Sequence, residues 1–287
     1  MTSVGGTGIP ACDFFWRFSL RPTQAEMPVP LGMRMPDPTK RFSNRVADYV
    51  KARPGYPPKI IATLRERIGL SPAWRVADIG AGTGISAKLF VDSGNSVTAI
   101  EPNSAMRDAS VKMLGHHAGF SAVDGTAEHT TLPDQSARLV VAAQAFHWFD
   151  RAAFRRECER ILEPGGYVVL MWNDRQTKGS IFLDRYEQLL EEFGTDYKSV
   201  NHRNVGDEGV SAFFSPAGCE CEVFPSAQRF DYDGLKSRLL SSSYAPAADD
   251  PRSGPMLDAL RKLFDETQRN GTIDMTYQTQ LYWGQLS

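Results

Sequence analysis

A chain of 287 residues with a formal net charge of −2, 41% hydrophobic and 23% charged residues can hold one large domain or two small ones, and its make-up is that of an ordinary soluble protein. No basic block is present, so an electrostatic grip on nucleic acid is not expected, and no apolar stretch is long enough to span a membrane. The start, Met1-Thr2-Ser3-Val4-Gly5-Gly6, lacks the basic and apolar regions of a secretory leader, so a signal peptide is not expected, and the four cysteines do not read as a disulfide framework, so reduced thiols and a cytoplasmic setting are expected.

In chain order, residues 1–38 carry Pro10, Pro22, Pro28, Pro30, Pro36 and Pro38 and show no sustained period, so a disordered or extended tail is expected, followed by one domain over 39–287. Residues 41–57 are aromatic and basic, and a helix is predicted over 58–68. Strand and helix then alternate. Strands are predicted at 75–79, 96–101, 120–123, 139–143 and 167–172, with helices at 85–93, 104–114 and 151–162. Such alternation implies a parallel sheet covered on both faces, with ligands at the carboxyl ends of the strands. Beyond residue 173, helices are predicted at 181–193, 232–240 and 256–268, and strands at 219–224 and 273–282. Cys219 and Cys221 lack a second Cys/His pair at zinc-like spacing, and with Val223 they read as one face of a strand. Cys158, within a helical pattern, reads as a small buried residue. No metal site is expected.

The sharpest signal is Asp78-Ile79-Gly80-Ala81-Gly82-Thr83-Gly84, at the end of the first strand. Glycines let the backbone turn sharply and approach a ligand with no Cβ in the way, and the helix that follows adds unpaired N–H groups and partial positive charge. A dinucleotide fold requires Gly-x-Gly-x-x-Gly, whose third glycine would fall on Ile85. The second strand ends in Glu101, roughly 20 residues after the loop, where an acid accepts hydrogen bonds from both hydroxyls of a ribose. Both NAD and S-adenosylmethionine (SAM) carry a ribose, so Glu101 alone does not separate them.

Gly-x-Gly-x-Gly after an Asp-containing strand resembles the class I SAM-dependent methyltransferases, specifically the methyltransferase type 11 group, which includes trans-aconitate and ubiquinone-pathway small-molecule methyltransferases. Three further runs carry the resemblance: Asp124-Gly125-Thr126-Ala127-Glu128, Ala142-Ala143-Gln144-Ala145-Phe146-His147-Trp148-Phe149-Asp150, and Leu162-Glu163-Pro164-Gly165-Gly166. It implies a Rossmann-like α/β fold, a seven-stranded mostly parallel sheet with its last strand antiparallel and helices on both faces. It also implies a lid and first helix over 39–70, a cofactor-binding core over 75–172 and an acceptor-side part over 173–287. SAM is the implied cofactor, held by Asp78, Gly80, Ala81, Gly82, Thr83, Gly84, Glu101, Pro102, Met106, Thr126, Ala127, Glu128 and Gln144, with Tyr49 and Arg53 from the lid. Thr126 stands where the group presents an Asp to the adenine, and Asp124 is the alternative acceptor. Tyr56, His147, Trp148 and Tyr244, with Ser243 beside it, fall on the acceptor side. His147 is the candidate base, because imidazole takes a proton near neutral pH; packing on Trp148 is its alternative role.

The function implied is transfer of the SAM methyl group to the oxygen or carbon of a small-molecule acceptor, a carboxylate among the options. A SAM-binding protein without transfer and an NAD-linked oxidoreductase are the alternatives. The glycine spacing and the run from Ala142 to Asp150 disfavour the latter.

Overall fold

The computed structural model describes residues 46–197 and 206–286; the predicted tail at 1–38 lies outside them. In chain order the elements are α1 (Val46–Ala52), α2 (Lys59–Ile68), β1 (Arg75–Ile79), α3 (Ile85–Asp92), β2 (Ser96–Ile100), α4 (Ser104–Leu114), β3 (Phe120–Val123), β4 (Ala137–Ala143), a 3₁₀ turn (Phe146–Trp148), α5 (Arg151–Ile161), β5 (Leu162–Arg175), α6 (Ile181–Phe193), α7 (Gly206–Phe214), β6 (Glu220–Phe230), α8 (Tyr232–Leu240), α9 (Ser253–Thr267) and β7 (Ile273–Gly284). The strands form a seven-stranded sheet in the order β3-β2-β1-β4-β5-β7-β6. Neighbours from β3 to β5 are parallel, and β7 runs antiparallel to both β5 and β6. The expected sheet and its reversed last strand are therefore present.

The apolar strands reflect burial on both faces. Alternate residues of β4 face opposite ways. Val140 and Ala142 join Phe154, Cys158 and Ile161 of α5 and Phe213 and Phe214 of α7. Leu139 and Val141 join Ile60 and Leu64 of α2 and Phe90 of α3. A third cluster packs Leu183, Tyr186 and Leu190 of α6, Leu235 and Leu239 of α8, and Leu260 and Phe264 of α9 on Met275 and Tyr277 of β7. No helix among the described residues is long and apolar enough to cross a membrane.

Four details differ from expectation. Helix α7 was not anticipated, as two glycines, Gly206 and Gly209, weaken its pattern. Strand β6 runs on through Pro225 to Phe230, which its place at the sheet edge permits. Helix α5 stops at Ile161 and β5 starts at Leu162, so Pro164-Gly165-Gly166 forms an irregularity inside the β4–β5 pairing rather than a turn before it. Cys158 is a buried free thiol, but Cys221, on the edge strand, is disulfide-bonded. The expectation of reduced thiols is corrected to that extent.

A buried carboxylate ties α5 to the loop after β3. Glu157 Oε1 accepts the Thr130 N–H at 2.7 Å and the Thr130 hydroxyl at 2.6 Å, while Arg160 donates to both oxygens at 2.7 and 2.9 Å. Burial pushes this carboxyl up, but the Arg160 and Thr130 hydrogen bonds outweigh it and hold it at about 2. A depressed acid stabilises the fold above its unfolded value, and that contribution is lost as pH falls through the carboxylate range towards about 2. The melting-temperature gap between wild type and Glu157→Gln is therefore expected to be wide near about pH 6, to narrow below about pH 4 and to close only towards about pH 2. A gap constant across that range in thermal melts would contradict the assignment.

Candidate functional site

The chain leaves β1 and β4 in opposite directions, since β1 leads outward to β2 and β3 and β4 leads to β5. A crevice opens at that switch, at the carboxyl ends of the strands. It holds a cavity of about 370 Å³.

Its floor is the glycine loop. Gly80, Gly82 and Gly84 have φ of +66°, +56° and +86°, the left-handed region that favours glycine. The N–H groups of Gly80 and Ala81 donate to the Ile100 carbonyl at 2.9 and 3.1 Å, pinning the loop to the end of β2. A Cβ on Gly80 would lie 2.8 Å from the Ala145 Cβ and 3.2 Å from the Phe149 ring, so the loops after β1 and β4 touch here.

Glu101 sits beside this floor. Its Oε2 accepts the Gly82 N–H and its Oε1 the Asn103 N–H, both at 2.9 Å, and the residue is only 9% exposed. Burial raises its pKa, partly offset by these N–H donors. Asn103 also caps α4 by accepting the Met106 N–H at 3.1 Å, which presents Pro102 and Met106 to the cavity. On the other side, Thr126, Ala127 and Glu128 form a tight turn closed by paired Thr126–His129 backbone bonds. Glu128 Oε1 accepts the Asp150 N–H at 3.0 Å and so links this turn to the loop after β4.

That loop begins at Gln144, whose φ is +57°. The Gln144 N–H donates to the Met171 carbonyl at 2.9 Å and its side-chain amide to the Asn173 carbonyl at 3.2 Å. His147 and Trp148 follow in the 3₁₀ turn, ring centroids 4.9 Å apart, both lining the cavity. The segment from α1 to α2 forms the roof. The Arg53 guanidinium lies 4.7 Å from the Tyr49 ring centroid and donates to the Ser241 carbonyl at 2.8 Å. Asn173 donates to the Gly55 carbonyl at 3.1 Å and accepts the Thr279 hydroxyl at 2.6 Å, so the roof is tied to β5 and β7.

Every sequence-predicted site residue except Asp78, Gly84 and the alternative acceptor Asp124 lines this one cavity. Asp78, 0% exposed, lies beneath the loop, where its Oδ2 accepts the Ser86 hydroxyl at 2.7 Å and its Oδ1 has no partner. Burial raises its carboxyl to about 7, with the Ser86 bond pulling the other way. Gly84 backs onto α4 instead, as a Cβ there would meet Leu114 and Ser110 at 3.1 Å. Asp124, the alternative adenine acceptor, faces away and pairs with Arg107 at 3.3 Å. Sequence reasoning missed Asn173, Asp174, Arg175, Tyr197 and Arg238, which also line the cavity. For Arg238 a signal existed: it stands between Leu235 and Leu239 and four residues before Ser242, so it shares a buried helix face.

A 3-2-1-4-5-7-6 sheet with a glycine loop after β1 and an acid ending β2 defines the class I methyltransferase fold. Methyltransferase domain, type 11, is the family that matches, over residues 77–170. The chain belongs to the class I SAM-dependent methyltransferases of the type 11 group. It is 32% identical over 195 residues to a ubiquinone biosynthesis O-methyltransferase of Pseudomonas aeruginosa, covering 65% of this chain and 78% of the relative. It is 36% identical over 167 residues to an uncharacterised methyltransferase of Mycobacterium tuberculosis, covering 58% of this chain. That match spans 64% of the mycobacterial relative's length, slightly under two thirds. A solved structure of a candidate type II methyltransferase from Anaeromyxobacter dehalogenans superposes with a TM-score of 0.62 at 23% identity, over 82% of this chain and 98% of that one, a likeness of fold.

Proposed function

We propose that the protein binds SAM in this cavity and transfers its methyl group to the oxygen or carbon of a small molecule. The observation that carries the reading is Glu101. A buried carboxylate, fixed by N–H donors on both oxygens at the end of β2, keeps further lone pairs for the two hydroxyls of a ribose. The residues present also fit the cofactor's other parts. Thr83 Oγ1 is a buried hydroxyl without a partner in the cavity wall, and Gly82 leaves open space where a Cβ would stand.

In this reading the loop Gly80-Ala81-Gly82-Thr83 cradles the cofactor, and Pro102, Met106, Thr126, Ala127 and Glu128 surround its adenine. Gln144, Tyr49 and Arg53 enclose its amino-acid end. Asp78 and Gly84 act from behind, the first by holding Ser86 and the second by letting α3 start against α4. The bound cofactor supplies a methyl group activated by a sulfonium. The protein's part is alignment and exclusion of water, since charge disperses along the reaction. Tyr49 and Arg53 roof the site, Tyr56, Trp148 and Tyr244 would shape the acceptor side, and His147, which lines the cavity, would take a proton from a neutral acceptor. The domain would divide accordingly into a lid over 39–70, a cofactor core over 75–172 and an acceptor side over 173–287, of which 39–45, 198–205 and 287 lie outside the described residues.

Calorimetric titration of the full chain with S-adenosylhomocysteine is expected to show micromolar binding, and NADH none. Radiolabelled SAM incubated with a panel of small acceptors then tests transfer. Binding of NADH in place of the homocysteine compound would overturn the cofactor assignment. Cofactor binding without transfer to any acceptor would favour a non-catalytic SAM-binding protein.

A further inference from the structure

The run Ser241-Ser242-Ser243-Tyr244 follows α8 and puts a phenol into the cavity wall. Tyr244 is held from two sides. Its carbonyl accepts the Thr195 N–H at 2.9 Å and the Thr195 hydroxyl at 3.2 Å, and its ring meets the Tyr197 ring edge-on, centroids 4.8 Å apart.

A chain of hydrogen bonds joins the phenol to a buried charge. Arg238, on α8 and 5% exposed, donates from Nη1 to the Ser242 hydroxyl at 3.1 Å and from Nε to the Tyr277 hydroxyl at 3.2 Å. The Ser242 hydroxyl is in turn hydrogen-bonded to the Tyr244 phenol oxygen. Arg238 forms no ion pair with any described carboxylate. A buried guanidinium is costly until an anion meets it, and an ionised phenol one hydroxyl away is such an anion. The other groups on this wall are engaged elsewhere. Arg175 is paired with Glu187 and donates to the Tyr197 hydroxyl at 3.0 Å. Tyr197 donates to Glu187 at 2.7 Å and Tyr277 to Gln228 Oε1 at 2.9 Å. Burial pushes the Tyr186 and Tyr197 phenols up. It would raise Tyr244 as well, but Arg238 above all, then Arg175, the Ser242 hydrogen bond and Arg53, bring this phenol below its ordinary value.

We propose that Tyr244 is a catalytic residue, the base that takes the proton of the acceptor's O–H or C–H group, with Ser242 and Arg238 balancing its negative charge. The proposal rests on the methyltransferase reading and deepens it: the proton given there to His147 goes to Tyr244, and His147 packs on Trp148, ring centroids 4.9 Å apart. The step balances. The acceptor's proton goes to the phenolate oxygen, the electron pair it leaves forms the bond to the methyl carbon, and the carbon–sulfur bond breaks with its pair going to sulfur. The phenol then returns the proton to solvent.

The first part of the test is a base titration of the full chain followed by the near-ultraviolet absorbance of ionised phenol. One phenol is expected to ionise below the usual value of about 10. It is expected to vanish in Tyr244→Phe, to ionise at higher pH in Arg238→Gln and to stay low in Arg238→Lys, which keeps the charge. S-adenosylhomocysteine binding within about threefold of wild type in each variant shows by calorimetry that it is folded. In the second part, transfer from radiolabelled SAM to phenol and to acetylacetone is followed against pH. The rate is expected to rise with the ionisation seen by absorbance and then level off. Tyr244→Phe is expected to lower kcat about 100-fold or more with KM little changed, while His147→Gln keeps the rising limb. Absence of a low-titrating phenol, its persistence in Tyr244→Phe, or a limb that survives in Tyr244→Phe and disappears in His147→Gln would overturn the proposal. Transfer to neither probe nor to any acceptor of the panel, with S-adenosylhomocysteine bound, would instead count against the methyltransferase reading and remove the base role with it.

Discussion

Glu101→Ala is expected to weaken S-adenosylhomocysteine binding by about 100-fold or more while the protein stays folded. Two hydrogen bonds from ribose hydroxyls to an ionised carboxylate contribute about 1.5–3 kcal/mol each, and both disappear. A further loss follows from geometry. The carboxylate also accepts the Gly82 and Asn103 N–H groups, so its removal frees the glycine loop from the start of α4. Glu101→Gln is expected to lie close to Ala, since its amide nitrogen would face one of two N–H donors. Calorimetry beside far-ultraviolet circular dichroism checks the pair. An alanine variant that binds within about threefold of wild type would remove the main support for the ribose assignment.

The second large effect is expected at Gly80, and the contrast with Gly82 makes it informative. Both residues have left-handed backbone, so an alanine at either costs about 1–2 kcal/mol in strain. At Gly80 the new methyl also meets Ala145 at 2.8 Å and Phe149 at 3.2 Å, on a loop fixed by two hydrogen bonds to Ile100. Overpacking adds about 1–3 kcal/mol. Gly80→Ala is therefore expected to lower the melting temperature by about 5–15 °C. At Gly82 no atom stands within 4 Å of the added Cβ, so Gly82→Ala is expected to cost only the strain, about 2–8 °C, while its methyl takes up room in the proposed cofactor cradle. Stability lost at the first position and ligand affinity at the second is the expected outcome. Equal melting losses at both would mean that the β1 and β4 loops do not pack as described.

What the sequence disclosed follows from how local each feature is. The glycine loop, Glu101 and the His147-Trp148 pair each belong to one strand end and the residues after it, and a period-two apolar run tells where a strand ends. The direction of a side chain at a motif's edge is less local. Asp78 precedes the loop and was grouped with it, but it points beneath the loop to Ser86. Gly84 was assigned to the ligand, though its space is taken by Ser110 and Leu114. The cavity wall built by β5 and α8 was the least legible part. Asn173 and Arg175 lie on β5 beyond the predicted strand end, and Arg238 comes from a helix that lies more than fifty residues further along the chain. Only the fold brings them to the roof residue Arg53.

The sheet is divided by strand direction, and its packing follows the division. The parallel strands β1 to β5 hold the cradle, flanked by the two clusters that include α5 and α7 on one face and α2 and α3 on the other. Helices α6, α8 and α9 bury their own cluster against β7. The wall that carries Arg238 thus has an interior largely its own. Replacements there are expected to be absorbed locally, without disturbing the glycine loop. On the proposed reading, a scaffold split in this way separates the wall that would meet the acceptor from the loop that would hold the cofactor, and it marks α8 and its neighbours as the segment to exchange when a new acceptor is wanted.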